Sequence, residues 1–241
     1  MNNYNTTDVI ELRQTTEISN DNVDFTDDDI VDTVIKKTDV KEMTKNENVT
    51  SACKDTCQKE ILVIGDSNLK RLDTYITKID NIIRNRVSIV ALPGGKIENF
   101  IDIVPRVLNG YKGKNLMVML HLGVNDTVNH SEVFVYNYER LLNLIVETIP
   151  KVEIVICGMP LRIDKGDLVY SRTYDLNYRL LSLSKSYNCK FIQVYSLLSD
   201  CKYWTKDGLH YNKFAASIVG GELRKVIVNF LTLVGTDALM I

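Results

Sequence analysis

From residue 61 onward, the sequence alternates between short apolar runs and amphipathic stretches with helical spacing. The short apolar runs predict five strands, at 61–64, 87–92, 116–122, 152–157 and 191–195, and the first of them is rich in β-branched residues. Apolar residues that would share one helix face predict helices at 69–83, 97–108, 131–149, 174–187 and 212–231. A regular alternation of strands and helices is typical of a parallel sheet covered on both faces.

This alternation predicts an α/β fold, a three-layer flavodoxin-like sandwich around a five-stranded parallel sheet. Because crossovers between parallel strands are right-handed, we expect the strand order 2-1-3-4-5. The run 116–122 is apolar at nearly every position, which favours a central strand. In such sheets, ligands bind outside the carboxyl ends of the strands, close to the first strand. A functional site is therefore expected there.

The first sixty residues have a different composition from the rest of the chain. They contain no glycine or proline, and 14 Asp and Glu outnumber 7 Lys and Arg, a net charge of −7. Since the whole chain carries −2, the remaining 181 residues carry +5. A segment this acidic and this rich in Asn, Asp and Thr cannot bury enough apolar surface to offset the entropy of ordering. We predict an acidic, disordered N-terminal tail over 1–59 and one domain over 60–241.

Cysteine spacing and hydropathy argue against several protein classes. The five cysteines are irregularly spaced, and no second Cys/His pair follows Cys53 and Cys57 at ligand spacing, so we expect neither a metal site nor a disulfide framework. The chain starts without a basic and apolar signal, and no window of about 18 residues is apolar throughout. We expect a cytoplasmic protein without a membrane span. The sequence does not indicate an oligomeric state.

Candidate functional groups follow the predicted strands, each just past a carboxyl end. Ser67 follows the first strand, the doublet Gly94-Gly95 the second and Asn125 the third. A backbone N–H at a helix start, a glycine N–H and a side-chain amide can together bind a developing oxyanion. Each motif taken alone also fits a plainer interpretation: a helix N-cap, a tight turn and an Asx turn, respectively.

Asp207 and His210 lie between the fifth strand and the last helix, three residues apart across a turn that contains Gly208. At this spacing the carboxylate can accept the Nδ1–H of the imidazole, which leaves Nε2 to accept a proton from Ser67. The other histidines are poorer candidates, because His121 falls inside a buried strand and His130 lies among polar residues. The sequence therefore predicts His210 as a general base.

Taken together, these motifs resemble the four blocks of the SGNH (GDSL-like) hydrolase superfamily, over roughly residues 60–231. The chain resembles a short, minimal esterase-type member. The matching blocks are Gly65-Asp66-Ser67-Asn68, Gly94-Gly95, Gly123-Val124-Asn125-Asp126 and Asp207-Gly208-Leu209-His210. Asn68 stands where the family frequently has leucine, and we interpret this position as tolerant of substitution.

The resemblance implies a role for each matched residue. Ser67 would be the nucleophile and would also donate its N–H to the oxyanion, His210 would be the base, and Asp207 would orient His210. The remaining oxyanion donors would be the side chain of Asn125 and the N–H of Gly95, with Gly94 as the alternative. The resemblance implies no metal and no organic cofactor.

The predicted function is hydrolysis of a carboxylic ester, with an acyl or acetyl group, in a small-molecule, carbohydrate or lipid substrate. The Gly-x-Ser-x-Gly motif of α/β-hydrolases is absent around Ser67. The alternative is a non-catalytic module that binds nucleic acid or protein. Its only support is the net positive charge of the domain, which is equally typical of an ordinary solvated surface. Loops at 96–99, 126–130, 161–171 and 201–206 are expected to form the pocket, with Tyr170, Tyr203 and Trp204 as candidate lining residues.

Overall fold

The computed structural model describes residues 58–78, 81–198 and 201–232. Its strands are β1 (Lys59–Gly65), β2 (Val87–Ala91), β3 (Asn115–His121), β4 (Glu153–Cys157) and β5 (Lys190–Ile192). They form one parallel sheet in the order β2-β1-β3-β4-β5, which confirms the predicted fold class and strand order. The predicted tail over 1–59 lies outside the described residues, except for Gln58 and for Lys59, which already begins β1.

Helices connect and cover the strands. They are α1 (Ser67–Thr77), α2 (Asn81–Arg84), α3 (Ile97–Leu108), α4 (Ser131–Thr148), α5 (Gly166–Ser186), α6 (Val194–Leu197) and α7 (Lys213–Thr232). Single 3-10 turns occur at Asn109–Tyr111, Val124–Asp126 and Cys201–Tyr203. Within the described ranges, none of these helices combines the length and apolar character needed to cross a bilayer.

The sheet is held by apolar side chains that alternate between its two faces. On one face, Ile61 and Val63 of β1 pack with Met117 and Met119 of β3 against apolar residues of α1 and α7. The intervening residues of both strands are also fully buried, as expected for central strands covered on two sides. This packing holds β1 and β3 next to each other, so their carboxyl ends bring Gly65 and His121 into register.

Three predicted boundaries are wrong. The helix predicted over 69–83 is instead α1, which ends where Lys78 leaves the helical region (ψ 45°), and a separate α2. The helix predicted from 174 starts at Gly166; its first turns are largely exposed and therefore lack an apolar period, and they occupy part of the predicted loop 161–171. The fifth strand ends at Ile192, because the buried Val194 belongs to α6.

Candidate active site

Ser67 lies where β1 passes into α1. The strand ends at Gly65, which packs so closely on β3 that a Cβ there would collide with the carbonyl oxygen of His121. Asp66 is the N-cap of α1 and accepts the N–H of Asn68 at 2.9 Å. Ser67 is therefore the first helical residue, half-buried, and its N–H belongs to the positive end of the helix dipole.

The turn that carries His210 is organised around the side chain of Asp207. Its Oδ1 accepts the N–H groups of Leu209 at 2.9 Å and His210 at 3.0 Å, and the hydroxyl of Thr205 at 2.6 Å. Gly208 takes a left-handed conformation (φ 67°) and lies against the backbone of Asp164, where a larger residue would be strained and crowded. This tight turn folds His210 back onto the carboxylate.

The side chains of Ser67, His210 and Asp207 form a continuous chain of hydrogen bonds. The distance from Ser67 Oγ to His210 Nε2 is 2.9 Å, and that from His210 Nδ1 to Asp207 Oδ2 is 2.6 Å. Partial burial would raise the pKa of Asp207, but the hydrogen bonds from His210, Thr205 and Leu209 outweigh it and hold that pKa well below its usual range. An ionised Asp207 favours a His210 that carries its proton on Nδ1, so Nε2 can accept the hydroxyl proton of Ser67.

Asn125 lies beside the glycine doublet. Its side-chain Nδ2 donates to the carbonyl oxygen of Gly95 at 3.1 Å, and the N–H of Gly95 donates to Leu92 at 3.0 Å in a turn. A side-chain amide carries two N–H groups, and the part of the chain that the structure describes offers no partner for the second donor of Asn125. Within the described ranges, the N–H of Gly94 makes no backbone hydrogen bond. The structure thus groups Asn125 with the doublet.

Two buried carboxyl groups support the loops around Ser67. Asp126 accepts the N–H of Ile97 at 3.1 Å and so connects the loop after β3 to the start of α3. Burial raises the pKa of Asp126 to about 6. Burial also raises the pKa of Asp66 to about 7, with a smaller upward contribution from the negative charge of Asp126. Asp66 and Asp126 are each about 1% exposed, so surrounding protein groups, and not solvent, determine their pKa values.

The sequence-based interpretation missed Asn68, which is fully buried. Its Oδ1 accepts the N–H of Tyr211 at 3.0 Å, and its Nδ2 donates to the carbonyl oxygen of Leu209 at 3.3 Å. A position at which both bonds of a buried amide are satisfied is not a tolerant one. The available signal was the amide itself: an asparagine at a position expected to be buried needs polar partners.

The remaining histidine and aromatic residues considered in the sequence analysis lie in different environments. His121 is buried in β3, as predicted, and its Nε2 lies 3.1 Å from the hydroxyl of Tyr211 while burial lowers its pKa to about 4. Trp204 is buried and stacks on Tyr211, which gives it a packing role. Tyr170 is exposed on α5, and Tyr203 stacks on Phe214. Among the described residues, no cluster of three or more His, Cys, Asp or Glu side chains is arranged to hold a metal ion.

The chain was compared with known protein families, curated proteins and solved structures, and only the solved structures match. No family model and no curated protein matches the sequence. Among solved structures, a member of the lipolytic protein G-D-S-L family from Veillonella parvula matches with a TM-score of 0.60 and 16% identity, over 70% of this chain and 98% of that one. The lipase/acylhydrolase from Enterococcus faecalis has a TM-score of 0.57 and 15% identity, over 70% of this chain and 95% of that one.

A variant of an acetyl xylan esterase from Geobacillus stearothermophilus gives a TM-score of 0.55 and 16% identity, with 70% of this chain and 94% of that one covered. At these identities the likeness concerns the fold. The predicted resemblance is thus confirmed for the fold: the five-stranded sheet and its helices are those of GDSL-type lipolytic proteins and esterases.

Proposed function

We propose that this protein is a serine hydrolase that cleaves carboxylic esters. The observation that carries the proposal is the hydrogen-bonded chain from Ser67 Oγ through His210 to Asp207, with distances of 2.9 Å and 2.6 Å. A serine hydroxyl becomes an effective nucleophile only when a nearby base takes its proton, and here the base is itself held by a carboxylate. The fold shared with esterases and acylhydrolases agrees with this chemistry.

In the proposed reaction, Ser67 Oγ attacks the ester carbonyl carbon while its proton moves to Nε2 of His210. The imidazolium then gives this proton to the alkoxy oxygen as the bond between the carbonyl carbon and that oxygen breaks, and the alcohol leaves. A water molecule next loses a proton to His210 and attacks the acyl-enzyme. The bond to Ser67 breaks, Oγ recovers the proton, and the carboxylic acid departs. Throughout, Asp207 accepts the Nδ1–H bond and stabilises the imidazolium.

The negative charge that develops on the carbonyl oxygen needs hydrogen-bond donors. We assign this role to the N–H of Ser67 at the start of α1, to the unused N–H of the Asn125 side chain, and to the doublet Gly94-Gly95. The N–H of Gly95 is our predicted donor, although it would have to share or release its bond to Leu92. Gly94 is the alternative, and its N–H is available without breaking a backbone bond.

The substrate is proposed from the chemistry of the site and from the structural neighbours. Those neighbours include a lipase/acylhydrolase and an acetyl xylan esterase, so we expect acyl or acetyl esters of small molecules, carbohydrates or lipids. The candidate site is partly open, since the side chains of His210 and Asp207 are 24% and 48% exposed. An open site favours substrates that bind mainly through the ester group and its immediate neighbours.

The direct test is hydrolysis of p-nitrophenyl acetate and of longer acyl homologues by the purified protein, together with labelling by a fluorophosphonate probe. Ser67→Ala and His210→Ala should each lower kcat by roughly 10⁴–10⁶, because the nucleophile and its base act as one unit. Both variants should also lose labelling by the probe.

Ser182→Ala and Ser186→Ala serve as matched controls, since both hydroxyls are exposed on α5 and lie outside the hydrogen-bonded chain and the predicted pocket loops. They should retain activity. Full activity of Ser67→Ala would overturn the proposal. Salt-dependent RNA or DNA binding that survives Ser67→Ala, in a protein without hydrolytic activity, would favour the binding-module alternative.

A further inference from the structure

Asn68, the residue directly after Ser67, clamps the backbone on both sides of His210. Its Oδ1 accepts the N–H of Tyr211 at 3.0 Å, and its Nδ2 donates to the carbonyl oxygen of Leu209 at 3.3 Å. The two partners are the residues immediately before and after His210. One side chain therefore connects the segment that carries the proposed nucleophile to the segment that carries the proposed base, across 143 residues of sequence.

Further contacts hold both ends of the clamp. Asn68 is 0% exposed, and its own N–H is held by the Asp66 cap at 2.9 Å, so the first turn of α1 fixes its direction. On the other side, Tyr211 is buried, and its hydroxyl lies 3.1 Å from Nε2 of His121 at the end of β3. His210 thus projects from a backbone segment held by α1 on one side and by the sheet on the other.

We infer that Asn68 is a positioning residue that sets the distance between Ser67 Oγ and His210 Nε2, and this inference rests on the proposed hydrolase function. Asn68 acts through His210 and touches no reacting atom. Proton transfer between the two side chains depends steeply on their separation, and a misplacement of about 1 Å can lower the rate by about a hundredfold. A leucine at this position could fill the space but could hold neither Leu209 nor Tyr211.

The test is a double-mutant cycle between Asn68 and His210. We expect Asn68→Ala to lower kcat by about 10- to 100-fold with KM changed less than about threefold, because orientation of the base is lost and the substrate site is not. In the His210→Ala background, where no base remains to be positioned, the same substitution should lower the residual kcat by less than about twofold.

Asn177→Ala is the matched control. Asn177 is also a buried asparagine that clamps a backbone segment, since its side chain bonds to the N–H of Met159 at 2.7 Å and to its carbonyl oxygen at 2.9 Å. It makes no bond to the segment around His210. Its substitution should lower the melting temperature about as much as Asn68→Ala, and any effect on kcat should be the same in both backgrounds.

Equal losses for Asn68→Ala in the wild-type and His210→Ala backgrounds would overturn the inference. Asn68→Leu is the second variant, in case the alanine leaves a cavity that prevents folding, and the same cycle applies to it. Failure of both variants to fold would also overturn the inference, because Asn68 would then be required for the fold as a whole.

A crystal structure of Asn68→Leu provides a test that does not depend on activity. We expect the distance from Ser67 Oγ to His210 Nε2 to exceed hydrogen-bond range, and an unchanged 2.9 Å would overturn the inference even if the wild-type protein proved to hydrolyse no ester. Hydrolysis by the wild type that is lost in Ser67→Ala tests the proposed function separately.

Discussion

Two aspartates are associated with the same serine, one by sequence and one through His210, and their environments differ. Asp66 precedes Ser67, is 1% exposed and has its pKa raised to about 7 by burial. Asp207 reaches Ser67 through His210, has a side chain that is 48% exposed, and has its pKa held well below the usual range, because hydrogen bonds outweigh its partial burial. The turn at the end of β1 thus contains a carboxyl that is readily neutral, and the turn before α7 contains one that remains charged.

The difference lies first in burial and then in the number of donors that each carboxyl receives. Asp66 accepts the backbone N–H of Asn68 at 2.9 Å and lies near that of Val124, and the two lower its pKa by less than burial raises it. Asp207 accepts two backbone N–H groups, a hydroxyl and an imidazole N–H. A solvated carboxylate with many donors suits the stabilisation of an imidazolium, whereas a buried one with few donors suits the capping of a helix. Substitution of Asp207 should therefore lower activity, whereas substitution of Asp66 should change stability.

The largest expected effect comes from Asp207→Asn. The amide can accept hydrogen bonds but cannot stabilise a positive imidazolium, and it favours the wrong tautomer of His210, so kcat should fall by about 10³–10⁴. The measurement is steady-state hydrolysis of an activated acyl ester at pH 8. Substrate binding does not depend on this charge, so KM should change little.

The control for Asp207→Asn is Asp175→Asn, which removes an exposed carboxylate that is paired with Arg179 on the surface of α5. Exposed ion pairs contribute little, so this variant should keep activity and melt within a few degrees of the wild type. A loss of activity in Asp207→Asn no greater than that in Asp175→Asn would remove Asp207 from the mechanism.

Asp66→Asn should instead change stability. A group whose pKa is raised on folding stabilises the protein fully below its unfolded pKa, and this contribution is lost as pH rises through the folded pKa of about 7. Replacement by a neutral asparagine, an equally good N-cap, should raise the free energy of unfolding by roughly 2–4 kcal/mol at pH 8 and change it little at pH 4.

Urea denaturation at pH 4, 6 and 8 measures this effect. Asp126 has a pKa raised in the same direction, so some pH dependence should remain in Asp66→Asn. The activity of Asp66→Asn should exceed that of Asp207→Asn by at least about tenfold. An equal gain in stability at pH 4 and pH 8 would show that the charge of Asp66 does not destabilise the wild type. The proposed difference between a neutral Asp66 and a charged Asp207 would then be wrong.

Sequence reasoning reached the strand order and the placement of the candidate residues at the strand ends, because both follow from apolar period and crossover handedness. The geometry of the site could not be predicted from the sequence, because it depends on contacts between segments that are far apart in the chain. Asn68 was interpreted as tolerant of substitution, and its contacts to Leu209 and Tyr211, about 140 residues away, were not predicted. The start of α5 at Gly166 was missed because its exposed first turns carry no apolar period.

The smallest expected effect comes from Thr205→Val, which tests whether donors hold the pKa of Asp207 down. The substitution is nearly isosteric and removes the hydroxyl that donates to Asp207 at 2.6 Å. A charged hydrogen bond at an exposed site contributes modestly, so kcat should fall about two- to fivefold at pH 8. Because one donor is lost, the pKa of Asp207 should rise, which an NMR titration of its side-chain carboxyl measures directly.

Thr148→Val is the control for Thr205→Val, because the hydroxyl of Thr148 bonds within α4 to Leu144 at 2.7 Å, and no Asp207 bond depends on it. In this variant the pKa of Asp207 should match that of the wild type. If Thr205→Val also kept the wild-type pKa of Asp207, that low pKa would have to come from the backbone donors of Leu209 and His210 and from the imidazole alone. The difference in pKa between Asp207 and Asp66 would then depend on the turn geometry around Gly208 and not on a neighbouring hydroxyl.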